Sequence, residues 1–137
     1  MNKEEIYSMV PKSKFDTSLV DQLRKISKEE IKLIIPELIF WISDANWPVA
    51  RPIADILLEY PDLIQPYLEE HLSEHEVDDE LKYNIIILIL PNLPVNIQNE
   101  LVKFIERICI NPTKDEANGS LEVAQDYLDE YKLKYKK

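Results

Sequence analysis

The most informative part of the chain is its centre, where residues 78–94 read DDELKYNIIILILPNLP. The six-residue apolar run from Ile85 to Leu90 has no polar position, whichever secondary structure it adopts. Isoleucine favours β-strands, but a helix that is buried on every side has the same composition. Acidic residues before the run favour a helix start, with Asp78 or Asp79 as the candidate cap, and Pro91 and Pro94 after it favour a helix end. We therefore predict a fully buried helix, which requires other helices around it.

Signals for the beginnings and ends of further helices lie on both sides of this run. Ser27 and Thr113 are each followed three residues later by glutamate, which is the spacing of a capping box. Pro36 interrupts the first of these helices, so the helix kinks or restarts there. Ser120 is a candidate N-cap for the last helix. Gly119, just before it, is expected to adopt a left-handed conformation in the connection.

The stretch from Asp44 to Pro48 reads as a break followed by a new helix. Asp44 and Asn46 are both candidate N-caps, and Trp47 with Pro48 opens the helix, since a proline is harmless in the first turn. Pro52 lies far enough inside the predicted helix to bend it.

The predicted helices form pairs, which indicates a repeat architecture. Three repeat-like units cover about residues 36–60, 63–90 and 97–131, and an N-terminal helical segment precedes them. A single pair cannot bury its apolar stripe alone, so stacked pairs would share one core. We predict a single all-α domain over residues 1–137, built as a short α-solenoid of about three antiparallel helical hairpins.

Residue counts exclude several classes of site. Among 137 residues there is one glycine, Gly119, whereas phosphate-binding loops, dinucleotide fingerprints and nucleophile elbows each need at least two. One cysteine, Cys109, rules out an internal disulfide, and two histidines rule out a three-histidine zinc centre. No cofactor is predicted. Cys109 lies on an apolar stripe of its predicted helix, and a thiol in such a position is usually unreactive and contributes only to packing.

Charge is concentrated in the middle of the chain. The net charge is -10 overall and -11 within residues 34–100, where thirteen acidic residues face two basic ones. Residues 69–80, here called the acidic segment, hold seven carboxylates. Such a surface repels nucleic acid and attracts a basic protein partner. The same composition is also typical of a solvated acidic loop that only aids solubility. With no export signal or membrane-length apolar run, a cytoplasmic location is expected.

One motif suggests metal chemistry. Residues 71–75 read His-x-x-Glu-His, and on a helix His71 and His75 would share a face with Glu74 as a base. The third ligand that a zinc protease needs is not evident from the sequence. A metal-dependent hydrolase is therefore an alternative function. The simpler interpretation is that residues 71–75 form a solvated helix end.

Two segments of the chain resemble a known type of repeat. Residues 36–44, PELIFWISD, followed by residues 46–57, NWPVARPIADIL, are similar to a HEAT-type repeat. The Asp44-x-Asn46-Trp47-Pro48-Val49-Ala50 motif, with later matches up to Pro112-Thr113, resembles a bacterial family of small HEAT-like domains of unknown function. The resemblance covers about residues 28–131. It implies a fold and no established reaction.

From these observations we predict a non-catalytic protein-binding module. By fold-level analogy it would act as an adaptor or as an immunity-like neutraliser of a basic toxin. A HEAT-like nucleic-acid binder is a further alternative, which the acidic middle disfavours. Equivalent turns line up on one edge of a solenoid, so residues in these turns could form one binding surface. The alternative is that Asp44, Asn46 and Trp47 are purely structural, as a helix cap and as packing between repeats. The candidate partner-binding residues are Asp44, Asn46, Trp47, Asp78, Asp79, Lys82 and Tyr83.

Overall fold

A computed structural model describes residues 1–135. Lys136 and Lys137, the last two residues of the predicted domain, lie outside the described residues. Within residues 1–135 the regular secondary structure is helical and contains no β-strand, so the predicted all-α class is confirmed. The chain divides into two compact units, Met1–Ile64 and a second unit that begins at Gln65. The prediction of a single solenoid of hairpins stays a prediction.

The first unit is built from short helices around an aliphatic core. The helices are α1 (Lys3–Tyr7), α2 (Val20–Leu23), α3 (Lys28–Ile31), α4 (Ile35–Phe40) and α5 (Ala50–Leu57). The helix α5 contacts α2 and α4, and α1 contacts the 3-10 turn Lys32–Ile34. Each fully buried Leu or Ile in this core contributes about 1.5–3 kcal/mol. The fully buried core residues include Leu23, Ile31, Ile34, Ile35, Leu38, Ile42 and Ile53.

Local sequence signals explain several of these boundaries. Ser27 and Glu30 form the predicted capping box, in which the Ser27 hydroxyl accepts the Glu30 amide at 3.1 Å. The helix restarts as predicted near Pro36, which occupies the first turn of α4. The predicted start of α5 at Trp47 is wrong, because the helix begins at Ala50. Pro52 therefore falls in its first turn, where no amide is needed, which removes the reason for the predicted bend.

The second unit contains the longer helices. The helices are α6 (Pro61–His71), α7 (Asp79–Asn84), α8 (Val95–Ile110), α9 (Lys114–Ala117) and α10 (Ser120–Tyr135). The helix α10 packs against α8, α9, α7 and the segment Ile85–Ile89. The division between the units falls within α6.

The isoleucine run is helical, as predicted, but it is wider than an α-helix. Residues Ile85–Ile89 form a π-turn in which the Leu90 amide donates to the Ile85 carbonyl, five residues back. Pro91 follows directly, and its ring would press on the carbonyl four residues before it in a regular α-helix. The prediction of burial on every side is wrong at Ile87, which is 38% exposed, whereas Ile86 is 1% exposed.

The connection into α10 also differs from expectation. Gly119 does not have a positive φ, so its predicted left-handed conformation is wrong. A Cβ at Gly119 would lie 2.2 Å from Asp79 Oδ2, and this close approach explains the glycine. Ser120 is the first residue of α10 rather than its N-cap: its amide and hydroxyl donate to the Asp79 carboxylate at 2.8 and 2.6 Å.

Candidate functional site

Three aromatic side chains, the aromatic cluster Phe40/Trp41/Trp47, form a surface of the first unit where α4 ends. The ring centroids lie 5.1 Å apart for Phe40 and Trp41, 5.6 Å for the two tryptophans and 6.0 Å for Phe40 and Trp47. The planes are inclined by 83°, 60° and 44°, within the range of favourable aromatic pairs. Phe40 is 54% exposed and the tryptophans are half-buried, so the cluster is open to solvent.

The turn after α4 explains how Trp47 reaches the other two rings. Asp44 Oδ1 accepts the Asn46 amide at 2.8 Å, and the Asp44 carbonyl accepts the Trp47 amide at 3.0 Å. A side chain that accepts the amide two residues on forms an Asx turn, which reverses the chain. The Val49 amide donates to the Lys14 carbonyl at 3.2 Å and anchors the end of this turn. The expected N-cap role of Asp44 or Asn46 is therefore wrong, because the helix starts later.

Charged residues lie close to the aromatic cluster in the sequence. Glu37 lies three and four residues before Phe40 and Trp41, the spacing that shares one helix face, and it is exposed. Glu37, Asp44 and Arg51 form no ion pair within residues 1–135. Residues 34–64 contain five acidic residues and one basic residue, a net charge of -4. The cluster therefore belongs to a negatively charged segment, in which Asp62 is paired with Lys28.

The predicted metal motif is not assembled. The helix α6 ends at His71, so His75 lies in the turns beyond it and is 88% exposed. The nearest carboxylate to His71 Nδ1 is Glu76 Oε1 at 2.5 Å, not Glu74. The prediction that His71 and His75 share a helix face with Glu74 is wrong. Within the described residues, no three His, Cys, Asp or Glu side chains are placed to hold a metal ion.

The contact between His71 and Glu76 is electrostatically favourable. Partial burial of the Glu76 carboxyl raises its pKa, but hydrogen bonds with His71 and from the Asp78 amide outweigh burial and lower the pKa overall. This pair fixes the turn that follows α6.

Lys82 is buried, which contradicts its predicted place on a partner-binding surface. Its side chain is 0% exposed, and Nζ lies 2.5 Å from Glu116 Oε2 and 2.9 Å from the Ser73 carbonyl oxygen. Arg107 donates to both Glu116 carboxylate oxygens, with Nη2 2.7 Å from Oε2, and to the Leu72 carbonyl at 3.0 Å. We call Lys82, Arg107 and Glu116 the buried ion cluster. It joins the turn after α6 to α7, α8 and α9.

Glu116 is the only acidic member of the buried ion cluster. Burial raises its pKa, but hydrogen bonds from Arg107, Lys82 and the Thr113 amide lower the pKa from 4.5 to about 2. The sequence identified Glu116 as the capping-box partner of Thr113, and this prediction is confirmed. The contacts of Glu116 with Lys82 and Arg107 had no local sequence signal. The buried ion cluster therefore holds these segments of the chain together.

The other candidate residues of the second unit have mainly local roles. Asp78 caps α7, with Oδ1 accepting the Leu81 amide at 3.0 Å, as predicted for this position. Asp79 holds the start of α10 through Ser120. Tyr83 is half-buried. Of the seven candidate residues, Asp44, Asn46 and Trp47 belong to the surface that carries the aromatic cluster.

The second unit also has a shallow groove of about 260 Å³ on α8 and α10. Its lining residues are Val102, Glu106, Leu128, Tyr131 and Lys132. This lining contains neither a histidine nor a serine or cysteine nucleophile. Elsewhere on α8, burial raises the pKa of Cys109, and the charge of Asp129 adds to this effect, so Cys109 is a protonated thiol at neutral pH.

Comparison with known proteins complements the geometry. No helix within residues 1–135 combines the length and apolar character that crossing a bilayer requires. No curated protein matches the chain. Residues 9–128 match the model of a family described as a domain of unknown function, DUF5071, which agrees with the uncharacterised family expected from the sequence. The matched range spans most of the chain, and the protein therefore belongs to the DUF5071 family.

Proposed function

We propose that this protein is a non-catalytic binding module that contacts a protein partner through the aromatic cluster Phe40/Trp41/Trp47. The observation that carries the proposal is the 54% exposure of Phe40 beside two half-buried tryptophans. Contiguous exposed apolar surface on a small domain is typical of interaction sites. Aromatic residues are enriched at the centres of interfaces, and tryptophan is among the most frequent hot-spot residues.

A purely structural role for the cluster is the competing interpretation. Core packing would be expected to bury all three rings, whereas the ring of Phe40 remains open to solvent. Asp44 and Asn46 contribute to this surface, because the turn that they form places Trp47 against Phe40 and Trp41.

The other functions considered from the sequence receive less support. A metal-dependent hydrolase would need His71, Glu74 and His75 around one ion, and His71 instead contacts Glu76. A nucleic-acid binder would need a basic surface, and the chain has a net charge of -10. An adaptor or an immunity-like protein of HEAT-like architecture, acting in the cytoplasm, suits both the fold class and the unpaired thiol of Cys109.

The test is partner capture followed by reconstitution. The wild type and the Phe40→Ala variant are used as baits in extract of the native host, and the captured protein is purified and its affinity measured by calorimetry. Phe15→Ala is the matched control, because Phe15 is also exposed, at 68%, and makes no ring contact with the cluster within the described residues.

We expect Phe40→Ala to weaken the reconstituted complex about tenfold or more, with Phe15→Ala unchanged. Circular dichroism should show both variants folded, since neither ring is buried. A partner whose affinity is the same for the wild type, Phe40→Ala and Trp47→Ala would refute the proposed site.

A further inference from the structure

We infer that the aromatic cluster recognises arginine side chains of the partner protein. This inference rests on the proposed function and specifies the chemistry of the partner. It follows from two features that occur together on the first unit: exposed aromatic rings, and carboxylates without a cation of their own.

The rings provide the first part of the argument. A guanidinium group is planar and weakly hydrated, so it stacks on aromatic faces, and tryptophan is the best acceptor for such cation–π contacts. The cluster offers two indoles and one phenyl ring, each inclined to the next by at least 44°. The inclined planes give ring faces in more than one direction, and Phe40 is the most exposed of them.

The carboxylates provide the second part. Glu37 shares the helix face of Phe40 and Trp41, and Asp44 begins the turn that holds Trp47. Asp44 Oδ1 accepts the Asn46 amide, and the structure of residues 1–135 shows no hydrogen bond to Asp44 Oδ2. A guanidinium that lies on the rings could therefore donate to a carboxylate at the same time, which is the paired geometry that arginine favours over lysine.

Charge complementarity selects a basic partner over other ligands. The segment 34–64 has a net charge of -4, and the whole chain has -10, so an acidic or phosphorylated partner would be repelled. Arg51 is the one cation of that segment. An apolar partner would use the rings and leave the carboxylates unused. An arginine-bearing segment uses both.

The chain contains its own probe for this site. Trp41 and Trp47 are its two tryptophans, so intrinsic tryptophan fluorescence reports on the aromatic cluster and not on the acidic segment. The full chain is titrated at low salt with tetra-arginine and, separately, with tetra-lysine, which carries the same charge. We expect tetra-arginine to bind about threefold or more tightly than tetra-lysine, since an exposed cation–π contact favours it.

Variants locate the peptide. Phe40→Ala, Glu37→Gln and Asp44→Asn should each weaken tetra-arginine binding about two- to fivefold. In the Asp44→Asn variant the side-chain amide oxygen would still accept the Asn46 amide, so the turn is kept. Phe15→Ala controls for the loss of an exposed ring. Asp126→Asn removes one exposed charge from α10 in the second unit and controls for net charge. Both controls should bind tetra-arginine like the wild type.

Several results would overturn the inference. Equal affinities for tetra-arginine and tetra-lysine would mean that net charge alone explains peptide binding. An unchanged tryptophan spectrum would mean that the peptide binds away from the aromatic cluster. A captured partner that depends on Phe40 but tolerates replacement of its interface arginines by lysine would also refute arginine recognition while leaving the proposed binding function intact. The reverse failure is distinct: peptide binding at the tryptophans with a partner indifferent to Phe40→Ala would refute the proposed function alone.

Discussion

Replacing Glu116 with glutamine should destabilise the protein strongly, because Glu116 is the one anion of the buried ion cluster. Lys82 is 0% exposed and Arg107 is 24% exposed at the side chain. The Glu116→Gln variant leaves both cations next to a neutral amide. Removing one partner of a buried ion pair costs about 3–5 kcal/mol, since the remaining charge is desolvated without compensation.

The pKa of Glu116 shows how this stability depends on pH. It falls from 4.5 to about 2 on folding, a shift worth about 3 kcal/mol at 1.36 kcal/mol per unit. Because the folded-state pKa is the lower one, this stability is fully present above about pH 5 and is lost as the pH falls towards 2.

The assay is urea unfolding followed by far-UV circular dichroism at pH 7, 5 and 3. Wild type and Glu116→Gln are compared, and Glu106→Gln is the matched control, an exposed carboxylate on α8. We expect the difference between wild type and Glu116→Gln to be about 3–5 kcal/mol at pH 7. It should narrow by about 2 kcal/mol at pH 3, where the wild type has lost part of the contribution of Glu116.

Two results would refute this reasoning. A difference below about 1 kcal/mol at pH 7, the range of surface ion pairs, would mean that the contacts of Glu116 contribute little net stability. A difference that does not change with pH would mean that Glu116 keeps an ordinary pKa in the folded protein.

The remaining predictions concern packing and reactivity. Gly119→Ala should cost about 1–3 kcal/mol of stability, because its Cβ displaces the Asp79 carboxylate from α10; in an Asp79→Ala background the same change should be neutral in thermal unfolding. Ile86→Ser should cost about 3–5 kcal/mol, and Ile87→Ser less than about 1 kcal/mol, since the two residues are 1% and 38% exposed; equal losses in urea unfolding would contradict the observed burial. Cys109 should react with iodoacetamide more slowly than free cysteine at pH 7.5, with the rate still rising at pH 9, because its pKa is raised.

Sequence patterns predicted three local contacts correctly, although they placed the start of α5 three residues too early. Ser27 with Glu30, Thr113 with Glu116 and Asp78 with the Leu81 amide all join residues three apart. Such contacts depend on short segments of chain, so their sequence spacing is enough to predict them.

The patterns failed where a distant residue decided the outcome. Gly119 was expected to supply a left-handed turn, but Asp79, forty residues earlier, takes the space that a Cβ would need. Lys82 was expected at the surface, and Glu116, 34 residues later, holds it inside. No local spacing predicts contacts of this kind.

The candidate site was predicted in part. The Asp44-x-Asn46-Trp47 motif identified the turn and one of the three rings. Phe40 and Trp41 were not among the candidate residues, because a helical pattern alone does not show which side of a short helix a neighbour will cover. The aromatic cluster depends on the Asx turn at Asp44, which places Trp47 next to the end of α4.

The sequence by itself determined that the chain is helical and where several helices begin, because apolar periodicity and capping residues act within a few positions of one another. Tertiary structure alone decided the exposure of Phe40 and Ile87 and the burial of Lys82. Burial and long-range pairing depend on which helices pack together, and a side chain acquires its environment only when that packing is complete.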